Sequence, residues 1–371
     1  MLTIDPIIQQ SNTRWRNLSL KLLAAIGTIM ISPLSSIAAT PVELINQDWQ
    51  LVCDNTRTCR MAGYQTDFTS DFPASILLTR QAGNRAEITG DIKLGGDKNG
   101  SNKALLELGN RHRVSLFIDG KDLGETTSSS LGAGYAALSS SQVKTLLDSL
   151  TKSSKIELVV RNSRWQVSDH GATAIMLKAD EAQGRVGTPS ALLNPKPNKP
   201  NSNVLAAVDA PQLNLVLPNA VADANSNKSF SLKSSQLSDI MKGTIKDLSN
   251  DCPRLYNKNP WKVKRLNSTQ LLAQHNCWSG AYNTGDGMWV MNDRQPYNPK
   301  LVTTSATAYD EKGIISSVQK GRGIGDCLAI TEWVWTGKGF AKSKEGTTGL
   351  CRLIAEGGAW WLPTLVSQVK R

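Results

Sequence analysis

Alternating apolar and polar residues predict β-strands along most of the chain. The alternation over Trp49–Cys53 is typical of a half-buried strand, and it resumes over Cys59–Tyr64 after the turn-forming residues 54–58, so this stretch predicts a β-hairpin. Further strands are predicted at residues 75–80, 86–88, 113–118, 155–160, 270–278, 287–291, 301–309, 314–317, 328–335 and 340–343.

Apolar residues at helical spacing predict three helices within this β pattern. They cover residues 143–150, 173–183 and 237–248. Serines at 139–141 offer an N-cap to the first helix, and Ser234 or Ser235 is the predicted cap of the third.

A proline- and asparagine-rich run separates two β-rich portions of the chain. Residues 194–203 contain three prolines and no apolar side chain, which favours an extended linker. We therefore predict a mostly β protein, a β-rich α+β fold, in which two disulfide-stapled β domains each carry one or two short helices. The predicted domains span residues 39–193 and 234–371, and a Pro/Asn-rich linker over residues 194–233 joins them.

The first 38 residues have the composition of an export signal. Three basic residues precede an apolar run at 22–31, Pro33 ends the run, and Ser36 and Ala38 are small residues of the kind that signal peptidase requires. A membrane-spanning helix needs about 20 apolar residues. We therefore predict a signal peptide over residues 1–38 and no transmembrane anchor after cleavage, with the mature protein in the periplasm or secreted further.

The net positive charge indicates solubility and not a specific partner. The 371 residues carry a formal net charge of +11, but the basic residues are scattered and a role in solubility explains them. An exported protein rarely meets nucleic acid, so we expect none as a partner. An envelope component, namely a glycan, lipopolysaccharide or protein, is the expected partner.

The six cysteines are an even number that can pair completely. Export favours oxidation, and the predicted hairpin brings its two cysteines together. Nearest-neighbour pairing predicts a further two disulfides, each worth on the order of 3 kcal/mol, although spacing leaves crossed pairing among these last four open. The predicted disulfide residues are Cys53, Cys59, Cys252, Cys277, Cys327 and Cys351.

Several segments resemble a bacterial family of exported six-cysteine proteins known as domain of unknown function 1176. They include residues 49–53, 59–63, 180–188, 277–283, 321–327, 333–337 and 351–352 with Trp360. The N-terminal half also resembles, more loosely, the invasion-associated locus B proteins, which are small exported bacterial proteins linked to host-cell entry. Neither resemblance implies a reaction or a catalytic residue.

No catalytic motif stands out, and we predict no catalytic residue, no metal and no cofactor. The Gly-x-Ser-x-Gly elbow of serine hydrolases is absent, and His112, His170 and His275 fall in different elements. We expect His275 to be a partly exposed strand residue and not a metal ligand with Cys277. The glycine-rich residues 321–325 resemble a phosphate-binding loop but precede a strand and not a helix.

A candidate ligand or partner surface remains near the C-terminus. Trp333 and Trp335 are two apart in a strand and should share a face, whereas Trp360 and Trp361 should face opposite ways. Exposed, these aromatics would bind sugars or a partner; buried, they would form core beside the disulfides, which we favour. The candidate surface comprises Arg322, Asp326, Glu332, Trp333, Trp335, Trp360 and Trp361, and we expect Arg322 to pair with Asp326.

Three functional hypotheses follow. The first is a non-enzymatic exported protein that binds an envelope component, because a stapled framework is present without a catalytic constellation. The second is a cell-wall or glycan-directed hydrolase whose carboxylates come from Asp286, Asp310, Asp326 and Glu332, although nothing singles out two of them. The third is a secreted host-interaction factor, which the N-terminal resemblance alone suggests.

Overall fold

The computed structural model describes residues 38–66, 71–96, 114–131, 134–193, 196–218 and 232–371. The predicted signal peptide lies outside these residues except for Ala38. The described residues from Ala38 onward belong to one compact unit. None of the helices in the described ranges has the length and hydropathy needed to cross a membrane.

Eleven described strands precede residue 196. They are β1 (Val42–Asn46), β2 (Trp49–Cys53), β3 (Cys59–Tyr64), β4 (Ala74–Arg80), β5 (Ile88–Leu94), β6 (Ser115–Ile118), β7 (Lys121–Glu125), β8 (Thr127–Ser128), β9 (Tyr135–Ala137), β10 (Ile156–Val160) and β11 (Ser163–Val167). They form a seven-stranded sheet in the order β1-β2-β3-β4-β5-β9-β8 and a four-stranded sheet in the order β11-β10-β6-β7. Every pairing in these two sheets is antiparallel.

Eleven more described strands follow. They are β12 (Gln212–Asn214), β13 (Lys262–Arg265), β14 (Gln270–Ser279), β15 (Thr284–Asn292), β16 (Lys300–Ala306), β17 (Ala308–Tyr309), β18 (Ile314–Lys320), β19 (Leu328–Trp335), β20 (Phe340–Thr347), β21 (Leu362–Leu365) and β22 (Gln368–Lys370). β13–β16 form one antiparallel sheet and β17–β21 another, each in chain order, while β12 and β22 make a parallel pair. The mostly β prediction is confirmed.

Four α-helices lie in the described ranges: α1 (Ser140–Ser149), α2 (Ala172–Ala182), α3 (Ser234–Lys242) and α4 (Leu248–Asp251). The cap predicted for α1 is confirmed, because the Ser139 side chain accepts from the Gln142 N–H while the Gln142 side chain accepts from the Ser139 N–H.

The predicted cap and length of α3 are wrong. Ser234 and Ser235 lie inside the helix, and Lys233 is the N-cap residue, with its backbone N–H donating to Gln236 Oε1 at 2.9 Å. The helix ends at Lys242 before Gly243, so the predicted continuation to residue 248 does not occur. The carboxylate of Asp247 instead accepts the N–H groups of residues 249 and 250 and begins the separate short helix α4.

Strand β2 is buried on both faces, whereas its alternating pattern predicted a half-buried strand. Leu51 packs into the core formed with α1, α2 and the four-stranded sheet, and its neighbour Val52 packs against the C-terminal residues Ile354 and Trp360. The sequence pattern could not show this, because the second face is covered by residues about 300 positions further along the chain.

The C-terminal sheets enclose two further apolar clusters. Leu271 and Trp289 face α3 and the Cys252–Cys277 disulfide, while Leu272 on the opposite face of β14 packs in a cluster with Ile315 and Trp335. Side chains from opposite faces of β14 therefore enter different clusters, and the sheet is covered on both sides.

The described part of the predicted linker packs on the rest of the chain. The Leu205 N–H donates to the Gln183 carbonyl at 2.9 Å, and the Val216 N–H donates to the Trp335 carbonyl at 2.8 Å. Direct contacts also join the two predicted domains, such as the 2.8 Å ion pair between Arg352 and Asp48. The division into two domains stays a prediction.

Candidate functional site

The protein contains the three disulfides predicted by nearest-neighbour pairing: Cys53–Cys59, Cys252–Cys277 and Cys327–Cys351. Cys53 and Cys59 are directly opposite each other in the β2–β3 pair, so their bridge closes the predicted hairpin. All six cysteines are bonded in this way. The bonded sulfurs of Cys327 and Cys351 lie with an Asp326 oxygen within 4.8 Å of one another, but a disulfide sulfur is not a thiolate and does not ligate a metal.

The predicted tryptophan surface is largely core. Trp335 is fully buried, and Trp333 is partly buried against the same cluster, so both side chains point to one face as expected. Trp360 is also buried and donates its indole N–H to Ser75 Oγ at 2.7 Å. Trp361 is half-buried, with the Lys344 ammonium 4.7 Å from its ring centroid.

The expected pair of Arg322 and Asp326 forms inside the glycine-rich loop. Arg322 Nε donates to Asp326 Oδ1 at 2.7 Å, Arg322 Nη2 donates to Oδ2, and the Leu353 N–H also donates to Oδ2 at 2.7 Å. Burial raises the pKa of Asp326, but the hydrogen bonds from Arg322 and Leu353 outweigh it, so the pKa lies below its usual value. The carboxylate is therefore an ionised structural anchor between two loops.

Glu332 is engaged by a cation as well. The Lys344 ammonium lies 3.3 Å from Glu332 Oε1 on the neighbouring strand β20. Both carboxylates that the sequence placed near the tryptophans are thus paired with basic side chains, and the lowered pKa of Asp326 does not favour proton donation by that residue.

His275 is buried, and the expectation of a partly exposed strand histidine is wrong. Its ring stacks on Trp261 with centroids 4.6 Å apart, and its Nε2 lies 3.1 Å from the Arg254 carbonyl. Burial lowers the pKa of His275, although the bond to Arg254 opposes the shift. Because Cys277 is oxidised, the two residues do not form a metal pair.

A cavity of about 310 Å³ lies where the β14–β15 hairpin meets the end of β18 and the glycine-rich loop. The surface inside it is mostly apolar, and residues from five segments line it. These are Tyr282, Asn283, Thr284, Thr307, Val318, Lys320, Ile324, Gly325, Leu328, Glu356 and Gly357. We refer to it as the loop cavity.

Asn283 fixes one wall of the loop cavity to another. Its Oδ1 accepts from the Lys320 N–H at 2.8 Å, and its Nδ2 donates to the Lys320 carbonyl at 2.9 Å. The side-chain amide thus satisfies the two backbone groups of Lys320 that a neighbouring strand would otherwise bond at the edge of β18. Gln319 adds a bond of 3.0 Å from its Nε2 to the Thr284 carbonyl. The hairpin tip and the end of β18 are therefore held in one geometry.

The glycine-rich loop is held by a disulfide and by a backbone hydrogen bond. The Cys327–Cys351 disulfide anchors its C-terminal end, and the Gly357 N–H donates to the Gly325 carbonyl at 2.9 Å. Gly325 has φ +73°, a left-handed conformation that glycine adopts without strain. At Gly321 an added Cβ would lie 2.6 Å from the Cys327 sulfur, so the disulfide leaves room only for a residue without a side chain.

Two charged side chains of opposite sign line the loop cavity without ion-pair partners among the described residues. They are Lys320 and Glu356, and both are exposed. The Lys320 side chain lies against Gly325, with its Cε 3.4 Å from the position of a Cβ there. Glu356 precedes Gly357, whose N–H donates to the Gly325 carbonyl, so both charged residues belong to segments that meet at the same loop residue.

Exposed apolar side chains complete the lining. Tyr282, Val318 and Ile324 expose 48%, 39% and 62% of their surfaces, so this region offers apolar area to a ligand. Sequence reasoning missed these residues as a set because they are separated in the chain and share no single motif. Ile324 alone carried a signal, since an isoleucine between glycines in a turn has no strand or helix to bury it.

A second cavity of about 650 Å³ lies near α3 and the start of β16. It is lined by Ile240, Gly243, Thr244, Gln270, Val290, Met291, Asn292, Asn298, Pro299 and Lys300. More than half of its lining surface is polar, and Lys300 is the single charged residue among those that line it. The loop cavity has the more apolar lining and both signs of charge, the combination that small-molecule sites use.

Comparison with known proteins places the chain in a family without an assigned reaction. Residues 45–367 match the model of the family described as "Protein of unknown function (DUF1176)". The chain is also similar to the uncharacterized protein YpfG of Escherichia coli (strain K12), at 23% identity over 352 residues that cover 90% of this chain and 95% of the relative. No solved structure matches it.

Proposed function

This chain belongs to the DUF1176 family of proteins of unknown function, and we propose that it is an exported, non-enzymatic binding protein that holds its ligand in the loop cavity. The observation that carries the proposal is the cavity itself. It is mostly apolar, two unpaired charges line it, and hydrogen bonds and a disulfide fix its walls.

Export is supported by the cysteines and by the N-terminal pattern. Three disulfides use all six cysteines, and such bonds persist in oxidising compartments such as the periplasm. The basic and apolar segments before Ala38 fit a cleaved signal peptide. We propose the periplasm, with further secretion as the alternative, and a glycan, lipopolysaccharide or protein of the envelope as the source of the ligand.

The paired carboxylates support a binding role over a hydrolytic one. A glycosidase needs one carboxyl group with a raised pKa as the acid. Asp326 instead has a lowered pKa, and Glu332 lies beside Lys344. Turnover of peptidoglycan or chromogenic glycosides that is abolished by Asp326→Asn or Glu332→Gln would contradict this part of the proposal.

The experiment that tests the proposal is a ligand screen by nuclear magnetic resonance on the isotope-labelled mature protein. The probes are amino acids, dipeptides, monosaccharides and short fatty acids. We expect binding probes to shift the amide signals of residues 282–284 and 320–328, with those of the second cavity unchanged. Shifts confined to Met291 and Lys300 in the second cavity, or no shift with any probe, would refute the loop cavity as the binding site.

A further inference from the structure

We infer that the loop cavity recognises a small zwitterion with an apolar side chain, of the size of an amino acid or a dipeptide. The inference rests on the proposed function, because it assigns a ligand class to that same site. The chemistry that the site recognises is an ammonium and a carboxylate next to an aliphatic group on one small free molecule.

The apolar part of the ligand is assigned from the lining. Val318, Ile324 and Leu328 supply aliphatic surface, and Tyr282 adds an aromatic ring. Three of these four apolar side chains are exposed to water, and their contact with water is unfavourable. An aliphatic side chain placed among them would remove apolar area from water on both partners.

The charged part of the ligand is assigned from Lys320 and Glu356. Both residues line the cavity together with Gly325, yet no ion pair within the described part of the chain joins them or engages either one. A zwitterion satisfies both charges at once, with its carboxylate on Lys320 and its ammonium on Glu356. A simple anion or cation leaves one of the two charges without a partner and meets repulsion from it.

The size of the ligand follows from the volume. Ligand pockets usually measure about 300–1,000 Å³, and the loop cavity, at about 310 Å³, is at the lower end of that range. The Thr284 and Thr307 hydroxyls also line the cavity, but each already donates within the chain, to the Trp278 carbonyl at 3.0 Å and to the Ser316 carbonyl at 3.1 Å. The small volume suits an amino acid or a dipeptide.

Calorimetric titration of the mature protein tests the inference with matched probes. L-leucine and L-leucyl-L-leucine carry both charges, 4-methylpentanoate carries only the carboxylate, and 3-methylbutylamine carries only the ammonium. We expect at least one zwitterion to bind about fivefold more tightly than either singly charged probe, which is the upper end for a solvent-exposed ion pair. Lys320→Met and Glu356→Gln should each weaken that zwitterion by about the same factor.

A matched control distinguishes the effect of a charge in the loop cavity from the effect of the net charge of the protein. Lys300→Met removes one lysine from the second cavity and should leave the affinity for the zwitterion unchanged. All three substituted side chains are exposed, so folding should be preserved. Thermal unfolding of each variant checks this.

The outcomes distinguish the ligand class from the site. If 4-methylpentanoate or 3-methylbutylamine binds as tightly as the zwitterions, or if Lys300→Met weakens binding as much as Lys320→Met, the zwitterion inference is overturned. If neither zwitterion binds while other probes shift the signals of the loop cavity, the inference again fails, but the proposed site stands. If no probe shifts those signals, the site and the inference fail together.

Discussion

The substitution Asp326→Asn removes one charge from the anchor of the glycine-rich loop and keeps the shape of the side chain. Asp326 is 5% exposed and accepts hydrogen bonds from Arg322 and from the Leu353 N–H. A hydrogen bond to a charged group contributes about 1.5–3 kcal/mol, and a broken buried ion pair costs about 3–5 kcal/mol.

The Arg322 side chain is one-third exposed, so solvent recovers part of that cost. Asparagine also retains one oxygen that can accept from Leu353 or Arg322. We therefore expect Asp326→Asn to lower the free energy of unfolding by about 2 kcal/mol near pH 7. Urea unfolding followed by tryptophan fluorescence measures this loss.

The effect should depend on pH in one direction. The folded state lowers the pKa of Asp326, so its ionised form contributes stability above the unfolded pKa of about 3.9, and that stability is lost as the pH falls through the lower folded pKa. The difference between the native protein and Asp326→Asn should accordingly be constant near neutral pH and shrink in acid.

The matched control is Asp148→Asn. Asp148 pairs with Lys144 across one turn of α1, but its side chain is 70% exposed, so its loss should cost about 0.3–0.5 kcal/mol. An equal cost for the two variants, or a difference that grows as the pH falls, would refute the assignment of Asp326 as an ionised anchor.

Three further substitutions test the packing, the disulfide and the wall of the loop cavity. Trp335→Ala empties a fully buried site and should cost about 3–5 kcal/mol in urea unfolding; a cost under about 1 kcal/mol would contradict its place in the core. Replacing Cys327 and Cys351 together with serine opens a loop with a sequence separation of 24 and should cost about 3 kcal/mol, seen as a lower midpoint in calorimetry; an unchanged midpoint would contradict the bridge. Asn283→Ala leaves the backbone of Lys320 without its partner and should speed hydrogen exchange of that amide about tenfold; an unchanged rate would show that the edge of β18 is held by other groups.

The sequence predicted the local structure well where neighbouring residues determine it. The Cys53–Cys59 hairpin and the Ser139 cap of α1 are set by side chains a few residues apart, and both are confirmed. The prediction for α3 was wrong because the apolar spacing favoured one helix to residue 248. The helix instead ends before Gly243, and the Asp247 side chain caps a separate helix.

The candidate site could not be predicted, because distant segments build it. Tyr282 lies in the β14–β15 turn, Lys320 ends β18, and Glu356 lies between β20 and β21, so no periodicity links them. The sequence singled out the tryptophans by composition, whereas packing against another sheet decides that Trp335 is core. The loop from residue 321 to 327 was recognised for its glycines and its ion pair, but its role as a cavity wall depends on the hairpin and strand beside it.

The loop cavity depends on oxidised sulfur, since the Cys327–Cys351 bridge holds the loop that forms one of its walls. Peptide mass mapping of the protein isolated from the cell envelope, with free thiols blocked at lysis, tests this directly. We predict a chain that begins at Ala39 and yields three bridged pairs, Cys53 with Cys59, Cys252 with Cys277, and Cys327 with Cys351. Blocked thiols at these positions, or a chain that retains its first 38 residues and stays in the cytoplasm, would contradict the account.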